Sequence, residues 1–211
     1  MPVRIIDLSH PLYDGSPSWP GDPGISVAEH CTIERDTCCV HRLSLGTHQG
    51  THIDAPAHYL KGGAGVDSLP LERLYGKARL LRIPRGRGGR IGRADLLRFD
   101  EHLQEGARLL VHTGWDEQWG KEGFFLEGPC LDLDAAKLLA ERKIGVLGVD
   151  MATPAADDAE AVHHVLMNAG VIIVEGLANL GLCPDEFTLV AFPLRFEGLD
   201  GSPVRAAAIC Q

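Results

Sequence analysis

The chain has 211 residues, is 45% hydrophobic and carries a net charge of −9, which suits one domain with a sizeable core. The acidity argues against nucleic acid and anionic membrane surfaces as partners, because both need a basic face, and no run approaches the ~20 apolar residues of a membrane span. Met1-Pro2-Val3-Arg4-Ile5-Ile6-Asp7 lacks a long apolar core and does not read as a signal peptide, so a cytoplasmic location is expected. Six cysteines occur without a Cys-x-x-Cys pair and are expected to be free thiols.

In chain order, Val3–Leu8 reads as a short strand. Ser16–Gly24 packs three prolines and two glycines around Trp19 and reads as a loop. Ile25–Ile33 and Val40–Leu45 alternate as strands do, with Cys38-Cys39 assigned to strand packing. Leu69–Tyr75 suggests a short helix and Ala78–Ile83 a strand. Arg85-Gly86-Arg87-Gly88-Gly89-Arg90 has no interleaved aromatic residues and reads as a solvated loop. Arg93–Leu103 fits an amphipathic helix, and Arg108–His112 a strand. Asp134 is placed to cap a helix running to Arg142. Ile144–Asp150 is a buried-type strand, Asp158–Asn168 a helix stopped by Gly170, and Val171–Val174 another buried strand. Phe187–Leu194 and Val204–Ile209 complete the sheet. The pattern predicts a single α/β domain over 1–211 with a mixed sheet rather than regular βαβ alternation.

The most informative run is His48-Gln49-Gly50-Thr51-His52-Ile53-Asp54-Ala55-Pro56-Ala57-His58. Imidazole and carboxylate are the usual ligands of a catalytic divalent metal. Positions four apart on a flat strand lie ~13 Å apart, too far to share one ion. A continuous helix would join His48 to His52 but rotate Asp54 away, and Pro56 disfavours helix at Ala55. The chain must therefore bend between His48 and His52, and Gly50 is the residue that bends without a Cβ penalty. The segment is expected to run from a strand end through a tight turn into an irregular loop. Farther on, His163 lies on a predicted helix and Glu175 at the end of the next strand, a connection that can return one beside the other. Spacing alone does not separate His163 from His164.

The pattern His-x-Gly-Thr-His-x-Asp-x-Pro-x-His resembles the signature of the cyclase-like metal-dependent hydrolases, which include bacterial kynurenine formamidases and isatin hydrolases. Asp7–Leu12, Trp19–Asp22, Leu69–Gly76 and Pro193–Ala206 resemble further segments of that family, so the likeness spans nearly the whole chain. The resemblance implies a barrel-like mixed β/α fold and two divalent ions per chain, zinc or alternatively manganese. It implies His48, His52 and Asp54 on the first ion, and Asp54, His163 and Glu175 on the second. The family's twelve-residue step from histidine to glutamate selects His163 over His164. It further implies His58 as the acid/base, Trp19 as a substrate contact, and homodimers or larger homo-oligomers. The implied reaction is attack of a metal-activated water on an amide of a small molecule, such as an N-formyl aryl amide or a related cyclic amide, with His58 protonating the leaving nitrogen. Thr51 could orient a ligand or serve the backbone. A lyase or cyclising enzyme on the same scaffold and a non-catalytic metal-binding protein are the alternatives.

Overall fold

A computed structural model of the protein describes residues 3–210; Met1, Pro2 and Gln211 lie outside the described residues, and with them the start of the N-terminal run. The strands are β1 (Arg4–Asp7), β2 (Ser26–Cys31), β3 (Val40–Ser44), β4 (His52–Asp54), β5 (Tyr75–Arg82), β6 (Arg90–Ile91), β7 (Arg108–His112), β8 (Cys130–Leu131), β9 (Val146–Val149), β10 (Ile172–Glu175), β11 (Glu186–Val190), β12 (Gly201–Pro203) and β13 (Ala207–Cys210). The helices are α1 (Ile33–Asp36), α2 (Arg93–Leu97), α3 (Leu133–Glu141) and α4 (Ala159–Asn168). Nine strands form one sheet in the order β1-β13-β11-β5-β7-β9-β10-β4-β12. Its centre, β5-β7-β9-β10, is parallel, and antiparallel pairs extend it on both sides. No described helix is long and apolar enough to cross a membrane.

The central strands bury both faces, which is why they read as continuous apolar runs. Leu81, Leu109, Val111, Leu147, Val149 and Ile173 face α2, α3 and α4. Leu80, Leu110, Val146, Ile172 and Val174 point the other way, into a core closed by Ile6, Phe187, Leu189 and Ala208 from the antiparallel strands. Among the described residues no α-helix contributes to the second core, and the sheet curls around it as a half-barrel. Backbone contacts draw the far strands together: Ser9 bridges Leu177, just past β10, and the Ala178 amide donates to the Leu8 carbonyl at 2.8 Å.

His52–Asp54 is a strand inside the sheet, not an irregular loop, because both its edges are paired, to β10 and to β12. Leu69–Tyr75 is not a helix: a single 3-10 turn spans Leu71–Arg73, and Tyr75 already begins β5. Arg93–Leu103 breaks after Leu97 and resumes as a 3-10 turn over Asp100–His102; this kink lets both Leu96 and Leu103 reach the core. The N-cap position of α3 is Asp132, whose backbone is extended, and Asp134 lies in the first turn. The last strand is β13, and Gly201–Pro203 adds a strand that the alternation did not reveal. Cys38 and Cys39 are exposed ahead of β3, not packed within a strand. The β2–β3 hairpin alternates as expected, yet neither face of β3 is buried.

Asp150 follows β9 and is fully buried. Its carboxylate accepts the Thr113 amide at 2.8 Å, the Thr113 hydroxyl at 2.6 Å and the Gly114 amide at 2.7 Å, fastening the end of β7 to the end of β9. Asp150→Ala would leave those donors without a partner. We expect it to cost about 2–4 kcal/mol of stability, measured as a lower urea midpoint with an unchanged slope.

Candidate active site

The site lies where β10 ends, beside β4, a location that parallel strands generally offer to ligands. In the antiparallel pairing of these strands Glu175 stands opposite His52 and Ile173 opposite Asp54. His52 and Asp54 are two residues apart and share a face, while Ile53 turns into the opposite core. Helix α4 covers the shared face and lowers His163 onto it. The structure therefore brings His48, His52, Asp54, His163 and Glu175 together from three separate stretches of chain.

Asp54 connects the group. One carboxylate oxygen, Oδ1, lies 2.9 Å from His48 Nδ1 and 3.4 Å from His52 Nε2; the other, Oδ2, lies 3.4 Å from His163 Nε2. Glu175 places Oε2 3.2 Å from His52 Nε2 and Oε1 3.2 Å from His163 Nε2. Two sets of ligand-type atoms result, His48/His52/Asp54 and Asp54/His163/Glu175, with Asp54 common to both. His164, one step along α4, is only partly buried and turns away from this centre.

Backbone carbonyls orient two of the rings. His52 Nδ1 lies 2.9 Å from the Gly50 carbonyl, and His163 Nδ1 lies 2.6 Å from the Ala159 carbonyl. Donating from Nδ1 leaves each Nε2 lone pair free to point inward, as metal-ligating histidines generally do. His52 Nε2 and Asp54 Oδ2 are buried without a hydrogen-bonded partner. Orphaned buried polar atoms are costly, and a divalent cation at this point would satisfy both. The donors also match such an ion chemically.

The turn that feeds these residues forms as the sequence required. Gly50 has φ +63°, and Gly176, directly after Glu175, has φ +61°. A Cβ on Gly176 would stand 2.8 Å from the Gly50 carbonyl oxygen, so the two turns touch backbone to backbone. Thr51 reinforces the contact: its hydroxyl donates to the Gly176 carbonyl at 2.5 Å and accepts the His10 amide at 3.0 Å. Thr51 therefore serves the backbone and has no bond to a ligand side chain.

His58 sits apart from the two ligand-type sets, at the end of a 3-10 turn that opens with Pro56. Its ring stacks on His48 at 3.8 Å, and its Nδ1 is 3.7 Å from Asp200 Oδ2. Burial lowers its pKa below the usual histidine value, against the opposing charge of Asp54. His52 and His163 behave oppositely: burial alone would lower them, but Asp54 and Glu175 outweigh it and raise each to about 10.

These residues open onto a cleft of about 210 Å³. Its lining includes the aromatic residues Trp19, Trp119, Phe124 and Phe125, together with Tyr59, whose ring stacks on His163 at 4.3 Å. Trp19 meets Phe125 edge to face at 6.1 Å. Sequence reasoning named Trp19 alone. The Trp119–Phe125 stretch, a cluster of aromatic residues around Gly120 and Gly123, was a signal available for the rest, and Tyr59 is adjacent to His58. Asp200 was likewise not assigned a role. A third set of ligand-type atoms, His48, His58 and Asp200, overlaps the first at His48. A fourth, His112, Asp116 and Asp150, lies outside this cleft; Asp150 is committed to Thr113 and Gly114, and Asp116 accepts the Asn179 amide.

The sequence model of a family described as putative cyclase matches residues 6–156. The chain belongs to this family. It is 35% identical over 205 residues to a kynurenine formamidase of Bacillus thuringiensis (strain Al Hakam), covering 95% of each protein. Among solved structures it is similar to a potential metal-dependent hydrolase with cyclase activity, with TM-score 0.85 and 30% identity over 100% of this chain and 99% of that one. It is also similar to isatin hydrolase A from Labrenzia aggregata bound to benzyl benzoate, with TM-score 0.87 and 25% identity over 98% and 93% of the two chains. The curled mixed sheet is thus the fold of the family.

Asp54 and Glu175 raise His52 and His163 to about 10 and so favour their protonated forms when no cation is bound. An ion must displace those protons. Zinc added to chelator-stripped protein is therefore expected to release protons into a weakly buffered solution, and its apparent affinity should rise as the pH is raised from 6 toward 9. Affinity independent of pH would contradict this set of ligands.

Proposed function

We propose that the protein is a metal-dependent hydrolase of amide C–N bonds next to an aromatic ring, with N-formyl aryl amides the first candidates and cyclic aryl amides the second. The observation that carries this reading is the convergence of two carboxylate-linked histidine sets on an open, aromatic-walled cleft. A structural metal site would be closed and often rich in cysteine, whereas this one faces a cavity with His58 at its edge. The kinship to a kynurenine formamidase and to isatin hydrolase A supports the same chemistry, since both names denote cleavage of such a bond.

In this reading His48, His52 and Asp54 hold one divalent ion, and Asp54, His163 and Glu175 hold a second; zinc suits the donors, as does manganese. The chemistry such ions supply is polarisation of a carbonyl and acidification of a water. The protein's own side chains do the rest. Trp19 and the aromatic wall seat the aryl group, each stacked pair adding ~0.5–1.5 kcal/mol beyond burial. His58, neutral near pH 7 because burial lowers its pKa, accepts a proton as water adds to the carbonyl carbon. It then delivers that proton to the nitrogen as the C–N bond breaks. Pro56 fixes φ at the start of the turn that aims His58.

Self-assembly as a dimer or larger homo-oligomer fits the surface. The β2–β3 hairpin carries Leu43 at 61% exposure along β3 and Ile33 at 66% in α1 at its tip, apolar area of the kind that interfaces cover.

The direct test is hydrolysis of a panel of N-formyl aryl amines, isatin and simple esters, with metal content measured on the same sample. Incorporation of labelled oxygen from water separates hydrolysis from a lyase reaction. His58→Ala is expected to keep its metal and lose ~10²–10⁴-fold in turnover, whereas Asp54→Ala should lose both ions. A parallel fall of metal in His58→Ala would make His58 a ligand instead. Trp19→Ala should raise the Michaelis constant for aryl amides roughly two- to tenfold, on the scale of one aromatic contact; an unchanged constant would leave Trp19 to loop packing.

A further inference from the structure

Asp200 lies in the turn before β12, and its partners are all in or beside the site. Its Oδ2 is 3.0 Å from His48 Nε2 and 3.7 Å from His58 Nδ1, and its Oδ1 accepts the Thr47 hydroxyl at 3.0 Å. Among the described residues no lysine or arginine pairs with it; the basic side chains within 4 Å of its carboxylate are the two imidazoles. The turn itself is pinned. The Asp200 carbonyl accepts the Ala55 amide at 2.8 Å, the Leu199 carbonyl accepts the Val66 amide at 2.8 Å, and the Gly198 amide donates to Asp67 at 2.9 Å. Gly201, opposite Asp54 in the β12–β4 pairing, leaves room for the His48 ring: a Cβ there would stand 2.8 Å from His48 Cε1. The backbone is thus built to hold one carboxylate against one imidazole edge.

His48 differs from the other two ligand-type histidines in what fixes its ring. His52 and His163 donate to backbone carbonyls, while both nitrogens of His48 face carboxylates, Nδ1 toward Asp54 and Nε2 toward Asp200. A neutral imidazole has one proton to give. If Nε2 carries it, Asp200 accepts it and the Nδ1 lone pair points at the position shared with His52 and Asp54. We propose that Asp200 is a positioning residue of this centre: through Oδ2 it sets the tautomer and tilt of His48, and so the orientation of the ring on which His58 stacks. Carboxylates that accept the outer N–H of a metal-binding histidine tune affinity in this way. The proposal rests on the metal-centre reading above, and it makes Asp200 the link between metal binding and proton transfer.

The test is zinc titration of chelator-stripped protein against a chromophoric competitor, for the parent, Asp200→Asn and Asp200→Ala. Asp200→Ala should bind zinc roughly 10–100-fold more weakly. Asp200→Asn, isosteric and still able to accept through its amide oxygen, should fall between it and the parent. At saturating zinc, kcat on an N-formyl aryl amine should drop in the same order with KM unchanged, because the cleft wall is untouched. Far-UV circular dichroism of the metal-free proteins checks that the fold persists, and Asp200→Asn carries the comparison if Asp200→Ala does not fold. Zinc affinity and kcat equal to the parent's in the folded variants would overturn the role of Asp200 alone. A parent protein that takes up no zinc would overturn the metal-centre reading and this proposal with it.

Discussion

Two carboxylates buried side by side organise this molecule. Asp54 and Glu175 are 1% and 5% exposed, and the ion pairs they form are all to histidine. Burying one charge costs several kcal/mol unless it is compensated, and two like charges add repulsion. Among the described residues no lysine or arginine compensates them. The compensation comes from imidazoles, whose proton is removable. A lysine or arginine there would make a permanent salt bridge, and the pair would be structural. With histidines the positive charge can be exchanged for a metal ion at neutral pH, which is what distinguishes a site from a buttress.

That constraint accounts for much of the local architecture. Both carboxylates must approach from one face, so β4 and β10 pair in the register that sets Glu175 against His52. The strand carrying His52 and Asp54 is short, and the chain turns back on either side of it so that the rings of His48 and His58 stack at 3.8 Å. Gly50 and Pro56 bound it, one by a positive φ and one by a fixed φ. Gly176 then lets the chain leave Glu175 without colliding with the Gly50 turn. The helix-free core beneath, including Ile53 and Val174, supplies a rigid floor, so the ligand geometry is set by close-packed strands rather than by mobile loops.

The sequence revealed the parts of this that are local. The bend at Gly50 and the helix–strand return from His163 to Glu175 are both short-range facts, and the structure reproduces each. The same reasoning placed β4 in a loop, because a three-residue strand has too few positions for alternation to register; its pairing to β10 and β12 is a long-range fact. Gly201–Pro203 was hidden for the same reason, and Asp200 with it. Its proximity to His48, 152 residues earlier, depends on the order of strands in the sheet, which periodicity does not encode. The β2–β3 hairpin failed in the opposite sense: its alternation is real, but this chain alone offers nothing for its apolar positions to face.

Chemistry and selectivity are carried by different parts of the fold. The ligand-type side chains stand on β4, β10 and α4 or in turns pinned to them, while most of the aromatic wall, Trp19, Trp119, Phe124 and Phe125, comes from long connections. Connections tolerate change better than paired strands do. A shift in the Trp19 loop or the Trp119–Phe125 loop would reshape the cleft while leaving Asp54 and Glu175 where they are. In the hydrolase reading proposed above, the carboxylates and histidines would set what kind of bond is broken, and the aromatic loops which molecule presents it.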